Sequence, residues 1–139
     1  MNMAGKALPA VLLVEPQFVL RRTIVTVARE LGLVEFHEAT SVARAMPALA
    51  SRRFVGVVID IGEGPEALAM LARLRDGGYA CAPRIPVIAM TSQPIPEGDG
   101  TLDPLWPVSV LRKPFKIGAL LESVKTMAAY PAAGQVERH

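Results

Sequence analysis

Cysteine is nearly absent from this chain: of 139 residues only Cys81 is one. A lone thiol excludes an internal disulfide and any multi-cysteine metal site, and it fits a reducing compartment. Aromatic residues are scarce, at 5%. They interleave with no run of lysine and arginine, and the formal net charge is only +2. Without a basic stripe, nucleic acid is not an expected partner. The two histidines, His37 and His139, have no neighbours at metal-ligand spacing. The N-terminal apolar run from Ala7 to Val14 is broken by Pro9 and ended by Glu15. It is too short to span a bilayer and lacks a convincing small-residue cleavage site. The expected compartment is therefore the cytoplasm, with no membrane contact. No glycine-rich phosphate loop follows that run, because Glu15-Pro16-Gln17 stands there. Neither G-x-S-x-G nor H-E-x-x-H occurs.

What is present suits a packed core: 51% of residues are hydrophobic, far from the composition of a disordered chain. The length suits one domain over 1–139, with a core over roughly 9–129 and loose tails at 1–6 and 131–139. Phe54-Val55-Gly56-Val57-Val58-Ile59-Asp60 reads as a strand buried on both faces and closed by an acid. Around it the chain alternates. Residues 10–14 form a strand, and Pro16 suits the first turn of a helix over about 17–31. Leu20, Ile24, Val27, Ala28 and Leu31 make one stripe of that helix, with Arg21 and Arg22 off it. Thr23-Ile24-Val25-Thr26-Val27 is wholly β-branched and by propensity would be a strand, but the stripe and the stop at Gly32 favour helix. A second strand is expected over 33–37. Thr40 or Ser41 then caps a helix facing inward through Val42, Ala45, Met46 and Leu49 and kinked or shortened by Pro47. After the 54–60 strand, a helix from Pro65 carries Leu68, Leu71, Ala72 and Arg75 on one face and stops at Asp76-Gly77-Gly78. Strands follow at 85–90 and 108–111, then a helix with Ile117, Leu120, Leu121, Val124 and Ala128 inward. Between the last two strands, residues 93–107 hold four prolines and two glycines, a density that opposes a regular helix.

Strand–helix alternation implies a parallel sheet covered on both faces. The expected fold is α/β, a flavodoxin-like three-layer sandwich with five parallel strands in the order 2-1-3-4-5 and its fourth helix degenerate or absent. Ligands of such sheets bind at the carboxyl ends of the strands. There the chain places Glu15, Asp60, Thr91 and Lys113: two carboxylates, a hydroxyl and an ammonium. Carboxylate oxygens suit Mg²⁺, and an ammonium suits a phosphoryl group. Positioning and charge alone can serve phosphoryl transfer. The plainer alternatives are that Asp60 caps the next helix, Thr91 caps a turn, Lys113 is a surface lysine and Cys81 is inert or exposed.

Four segments carry a resemblance. They are Val11-Leu12-Leu13-Val14-Glu15, Val57-Val58-Ile59-Asp60, Ile85 through Ser92, and Leu111-Arg112-Lys113-Pro114-Phe115. In this order and spacing the chain resembles the response-regulator receiver domains of two-component signalling. The resemblance implies a divergent stand-alone receiver. Asp60 would accept a phosphoryl group from a sensor histidine kinase or phosphotransfer protein. Lys113 would pair with the phosphoryl oxygens, and Thr91 would be the switch hydroxyl. Mg²⁺ would be held by Glu15, Asp60, the Gly62 carbonyl and, speculatively, Glu63. Signalling would pass to a downstream protein partner, with a homodimer as another outcome. The family is not one of enzymes beyond assisting its own phosphoryl transfer and dephosphorylation.

The chain also departs from the family. Where the family has two adjacent acids after its first strand, this chain has Glu15 and Pro16. Loss of a carboxylate beside a cation removes on the order of a few kcal/mol, so Mg²⁺ is expected to be held weakly. The aromatic switch position holds Val110, with Trp106 nearby but elsewhere. The loop after Asp60 lacks the family's Met-Pro and Asp-Gly pattern. A phosphorylation-independent pseudo-receiver that acts as a binding module is the alternative reading. A small flavodoxin-like enzyme or nucleotide binder is the remote one.

Overall fold

The computed structural model describes residues 7–62, 64–94 and 109–129. Among them, five strands and four helices follow one another as β1 (Ala10–Val14), α1 (Phe18–Glu30), β2 (Glu35–Ala39), α2 (Val42–Ser51), β3 (Gly56–Asp60), α3 (Pro65–Arg75), β4 (Val87–Thr91), β5 (Ser109–Arg112) and α4 (Ile117–Ala128). All pairings are parallel, and the sheet order is β2-β1-β3-β4-β5. This is the expected flavodoxin-like sheet. From residue 95 to residue 108 the proline- and glycine-rich stretch lies outside the described residues, and so do Trp106, Glu63 and both tails.

Side chains of a strand alternate between faces, and the core divides accordingly. Leu12, Val14, Val57, Ile59 and Val87 point to the side covered by α2 and α3, where Ala45, Leu49, Met70, Leu71 and Leu74 meet them. Val11, Leu13, Val58, Ile88 and Met90 point the other way, against Ile24, Val25 and Ala28 of α1 and Leu120, Val124 and Met127 of α4. Because the central strands β1, β3 and β4 are covered on both faces, their apolar runs are continuous. Gly56 opens β3 where a methyl group would collide with the Met127 side chain, so the missing side chain lets α4 seat.

Several local expectations shift. The β-branched run of α1 is helical, as its periodicity requires. Its buried face includes Arg21, however, while Leu31 is 59% exposed. Pro16 precedes the helix and its Gln17 cap instead of occupying the first turn. Strand β2 begins two residues later than expected, since the Glu35 N–H bonds to the Pro9 carbonyl and sets the register against β1. Helix α2 is capped by Ser41, whose hydroxyl accepts the Arg44 N–H at 3.1 Å. It continues past Pro47 to Ser51, and Met46 faces out. Strand β3 starts at Gly56, with Phe54 buried ahead of it and Val55 exposed. In α3 the buried residues are Ala67, Met70, Leu71 and Leu74, so the face is rotated from the expected one. The α3 segment has apolar residues on several sides, and more than one stripe satisfies its spacing. Strand β4 begins at Val87, β5 runs one residue further, to Arg112, and α4 buries Met127 where Ala128 was expected.

Cys81 is buried, not exposed: its sulfur accepts the Phe54 N–H at 3.3 Å. Burial pushes its thiol above the ordinary range, and the Phe54 N–H only partly offsets that. A thiol reagent at neutral pH is therefore expected to react slowly with native protein and fully once guanidinium unfolds it. Rapid stoichiometric labelling of the native state would contradict this placement.

Candidate functional site

Parallel strands bring their carboxyl ends to one edge of a sheet. Here the register sets Val14 beside Ile59, Asp60 beside Met90 and Thr91 beside Arg112. Glu15, Asp60, Thr91 and Lys113 therefore emerge at nearly the same level. The ladder extends past the strand ends, because the Glu15 N–H bonds to the Ala39 carbonyl and the Lys113 N–H to the Thr91 carbonyl.

Lys113 joins the two acids. Its Nζ donates to Glu15 Oε1 at 2.7 Å and to Asp60 Oδ2 at 2.5 Å. The second oxygen of each acid takes a backbone N–H: Glu15 Oε2 from Gln17 at 2.9 Å and Asp60 Oδ1 from Gly62 at 2.7 Å. Glu15 is wholly buried and Asp60 is 6% exposed. Buried acids are costly unless paired and hydrogen-bonded, and all four oxygens are satisfied. Burial alone would lower the Lys113 pKa. Its bonds to Asp60 and Glu15 outweigh that, so the ammonium is held above its ordinary value.

Asp60 does not cap the next helix. The cap of α3 is Gly64, at φ 125°, a backbone conformation suited to glycine, and no side chain bonds there. Lys113 is not a surface lysine either, its side chain being only 9% exposed. Thr91 does cap a turn: its Oγ1 accepts the Gln93 N–H at 3.0 Å. It also lies on the same side of Gly62 as Asp60. A methyl group on Gly62 would lie 3.3 Å from Asp60 Oδ1 and 3.6 Å from Thr91 Oγ1. With glycine at 62, the space between hydroxyl and carboxylate stays open.

Arg21, placed off the apolar stripe by its spacing, is a buried residue of the site. Arg21 donates from one Nη to the Glu15 carbonyl at 3.0 Å and from Nε to Glu38 Oε1 at 3.1 Å. Arg22 also pairs with Glu38. Arg21 thus ties the turn bearing Glu15 to β2. Only the β1–β2 register, with Leu13 beside Glu38, reveals this partner. The sequence signal was an arginine bordering the apolar stripe, which by itself names no partner. His37 meets Arg52 through Nδ1 at 2.7 Å and packs edge-on to Phe54, a structural contact far from metal chemistry.

As arranged, the described residues of the site do not fit a hydrated Mg²⁺. Among the described residues no group of three His, Cys, Asp or Glu side chains is placed to hold a metal. Of the expected ligands, Glu15 and Asp60 both hold Lys113, and Glu63 is outside the described residues. Among the described residues no helix is long and apolar enough to cross a membrane.

No protein-family model and no curated protein matches this sequence. Solved structures do match its fold. The chemotaxis protein CheY4 of Vibrio cholerae superposes with a TM-score of 0.74 at 19% identity, over 87% of this chain and 99% of that one. A response regulator from Thermotoga maritima gives 0.73 at 23% identity, over 88% and 99%. The receiver domain of a sensor histidine kinase from Pseudomonas aeruginosa, with magnesium coordinated in its active-site cleft, gives 0.69 at 22% identity, over 89% and 100%. The structural neighbours of this chain are response-regulator receiver domains, and theirs is the fold it has.

Proposed function

We propose that this protein is a signalling receiver. It takes a phosphoryl group on Asp60 from a phosphohistidine of a sensor kinase or phosphotransfer protein and passes the signal on by protein–protein contact. The supporting observation is the Lys113 ammonium, 2.5 Å from Asp60 Oδ2 at the carboxyl edge of a receiver-type sheet. An oxygen of Asp60 attacks phosphorus; a P–O bond forms, the P–N bond breaks with its electron pair going to nitrogen, and the donor ring, already protonated on its other nitrogen, leaves as neutral imidazole. Lys113 then exchanges the carboxylate oxygen for a phosphoryl oxygen, a charge-assisted bond. The Thr91 hydroxyl, across the open space at Gly62, donates to another phosphoryl oxygen. Beyond this transfer and the hydrolysis of its own acyl phosphate the protein is not an enzyme, and it works in the cytoplasm.

The small donor phosphoramidate tests this. Wild type is expected to gain one phosphoryl group by intact mass, and Asp60→Asn none. The Lys113 ammonium is the cation in contact with Asp60, and a single positive charge offsets less of the phosphoryl charge than a dication would, so slow labelling is expected. No adduct after prolonged incubation, or one that survives Asp60→Asn, would sink the proposal. A second reading, a phosphorylation-independent binding module, is favoured by a specific feature: all four carboxylate oxygens of the pocket already have donors. It would gain from the first of those outcomes.

A further inference from the structure

We infer that Lys113 is the resident cation of this pocket: its ammonium takes the place of a divalent metal, and the folded protein holds none there. The inference concerns the same pocket as the proposed function but rests on geometry, not on whether Asp60 is phosphorylated. A cation that bridges two acids sits between them and contacts an oxygen of each. Lys113 Nζ does this, 2.7 Å from Glu15 and 2.5 Å from Asp60.

Three features oppose a metal in the same place. Mg²⁺ demands near-octahedral oxygen ligation and keeps several waters, yet Glu15 has no solvent exposure. Its other oxygen is turned back onto the Gln17 N–H, which aims Oε1 at the lysine. The next residue is Pro16, whose side chain has no donor atom for a metal. A dication would therefore have to displace a buried ammonium from both acids while gaining, among the described residues, two carboxylates.

The substitution of lysine for metal has a testable converse. Removing the ammonium leaves two converging carboxylates without a cation, and adding a third carboxylate gives a dication enough ligands to displace it. Full-length wild type, Lys113→Met and Pro16→Asp would be titrated with Mn²⁺, following the free-ion paramagnetic resonance signal, and melted with and without Mg²⁺ at constant ionic strength. Wild type is expected to bind no Mn²⁺ saturably at millimolar concentration and to show an unchanged melting midpoint. Lys113→Met and Pro16→Asp are each expected to bind one Mn²⁺. Their midpoints should rise by about 5 °C at tenfold excess of Mg²⁺ over its dissociation constant. Circular dichroism identifies which variants are folded. Saturable metal binding by wild type overturns the inference, and so does its absence from either variant that folds. If Lys113→Met does not fold, Pro16→Asp alone decides. Because no phosphodonor is present, this result is independent of the phosphoramidate experiment.

Discussion

Replacing Lys113 with methionine is expected to lower the unfolding free energy by about 3–5 kcal/mol at neutral pH, as measured by urea denaturation. Removing one member of a buried ionic cluster leaves its partners charged and unpaired, and that is the typical cost. Here the partners are two acids, one wholly buried and one 6% exposed, so the upper part of the range applies. Against a domain stability of about 5–15 kcal/mol, this is a large fraction. A loss below about 1 kcal/mol, the magnitude of an exposed pair, would mean that the cluster is solvated in solution.

The same pair of proteins carries a pH signature. The Lys113 pKa is raised in the folded state above its ordinary 10.5. A raised basic group contributes its stabilisation fully below the unfolded pKa and loses it as pH rises through the folded pKa. The stability gap between wild type and Lys113→Met is therefore expected to hold from neutrality to about pH 10 and to narrow above the ordinary lysine value. Groups common to both proteins cancel in the difference. A gap that widens with alkalinity would show that Lys113 is not bound to the acids as an ammonium.

Leu12→Ala is expected to cost about 3 kcal/mol, within the range for buried leucine truncation. Leu12 is fully buried on central β1, between His37 of β2 and Val57 of β3, in the core beneath α2 and α3. Strand neighbours on both sides prevent the backbone from closing over the cavity, so the loss includes a cavity contribution as well as transfer. Val19→Ala serves as the control. Val19 is 75% exposed on α1, and its truncation is expected to change stability by less than about 0.5 kcal/mol. Equal effects from the two substitutions would contradict the placement of the core.

Local physics made much of this legible beforehand. The β-branched run 23–27 is helical because burial of one stripe overrides a propensity of a few tenths of a kcal/mol per residue. Continuous apolar runs marked the strands covered on both faces, and the alternation of elements implied the parallel order. Errors gathered where the local signal was degenerate. Helix α3 has several apolar sides, and β2 could begin at Leu33 or Glu35 until its pairing with β1 chose. Arg21 fell off the apolar stripe, and its burial was not legible because its partners are a backbone carbonyl and a side chain 17 positions away.

The sequence by itself determined the class of fold and which residues stand at the carboxyl edge of the sheet, since both follow from periodicity and from the direction of each strand. Only the tertiary structure decided what those residues do to one another. Lys113 and Glu15 are 98 positions apart, and no local pattern records that one ammonium bridges both acids. Glu15 has no solvent exposure and Asp60 has little, so their charges are neutralised by groups the fold brings in, and the cation brought in is Lys113.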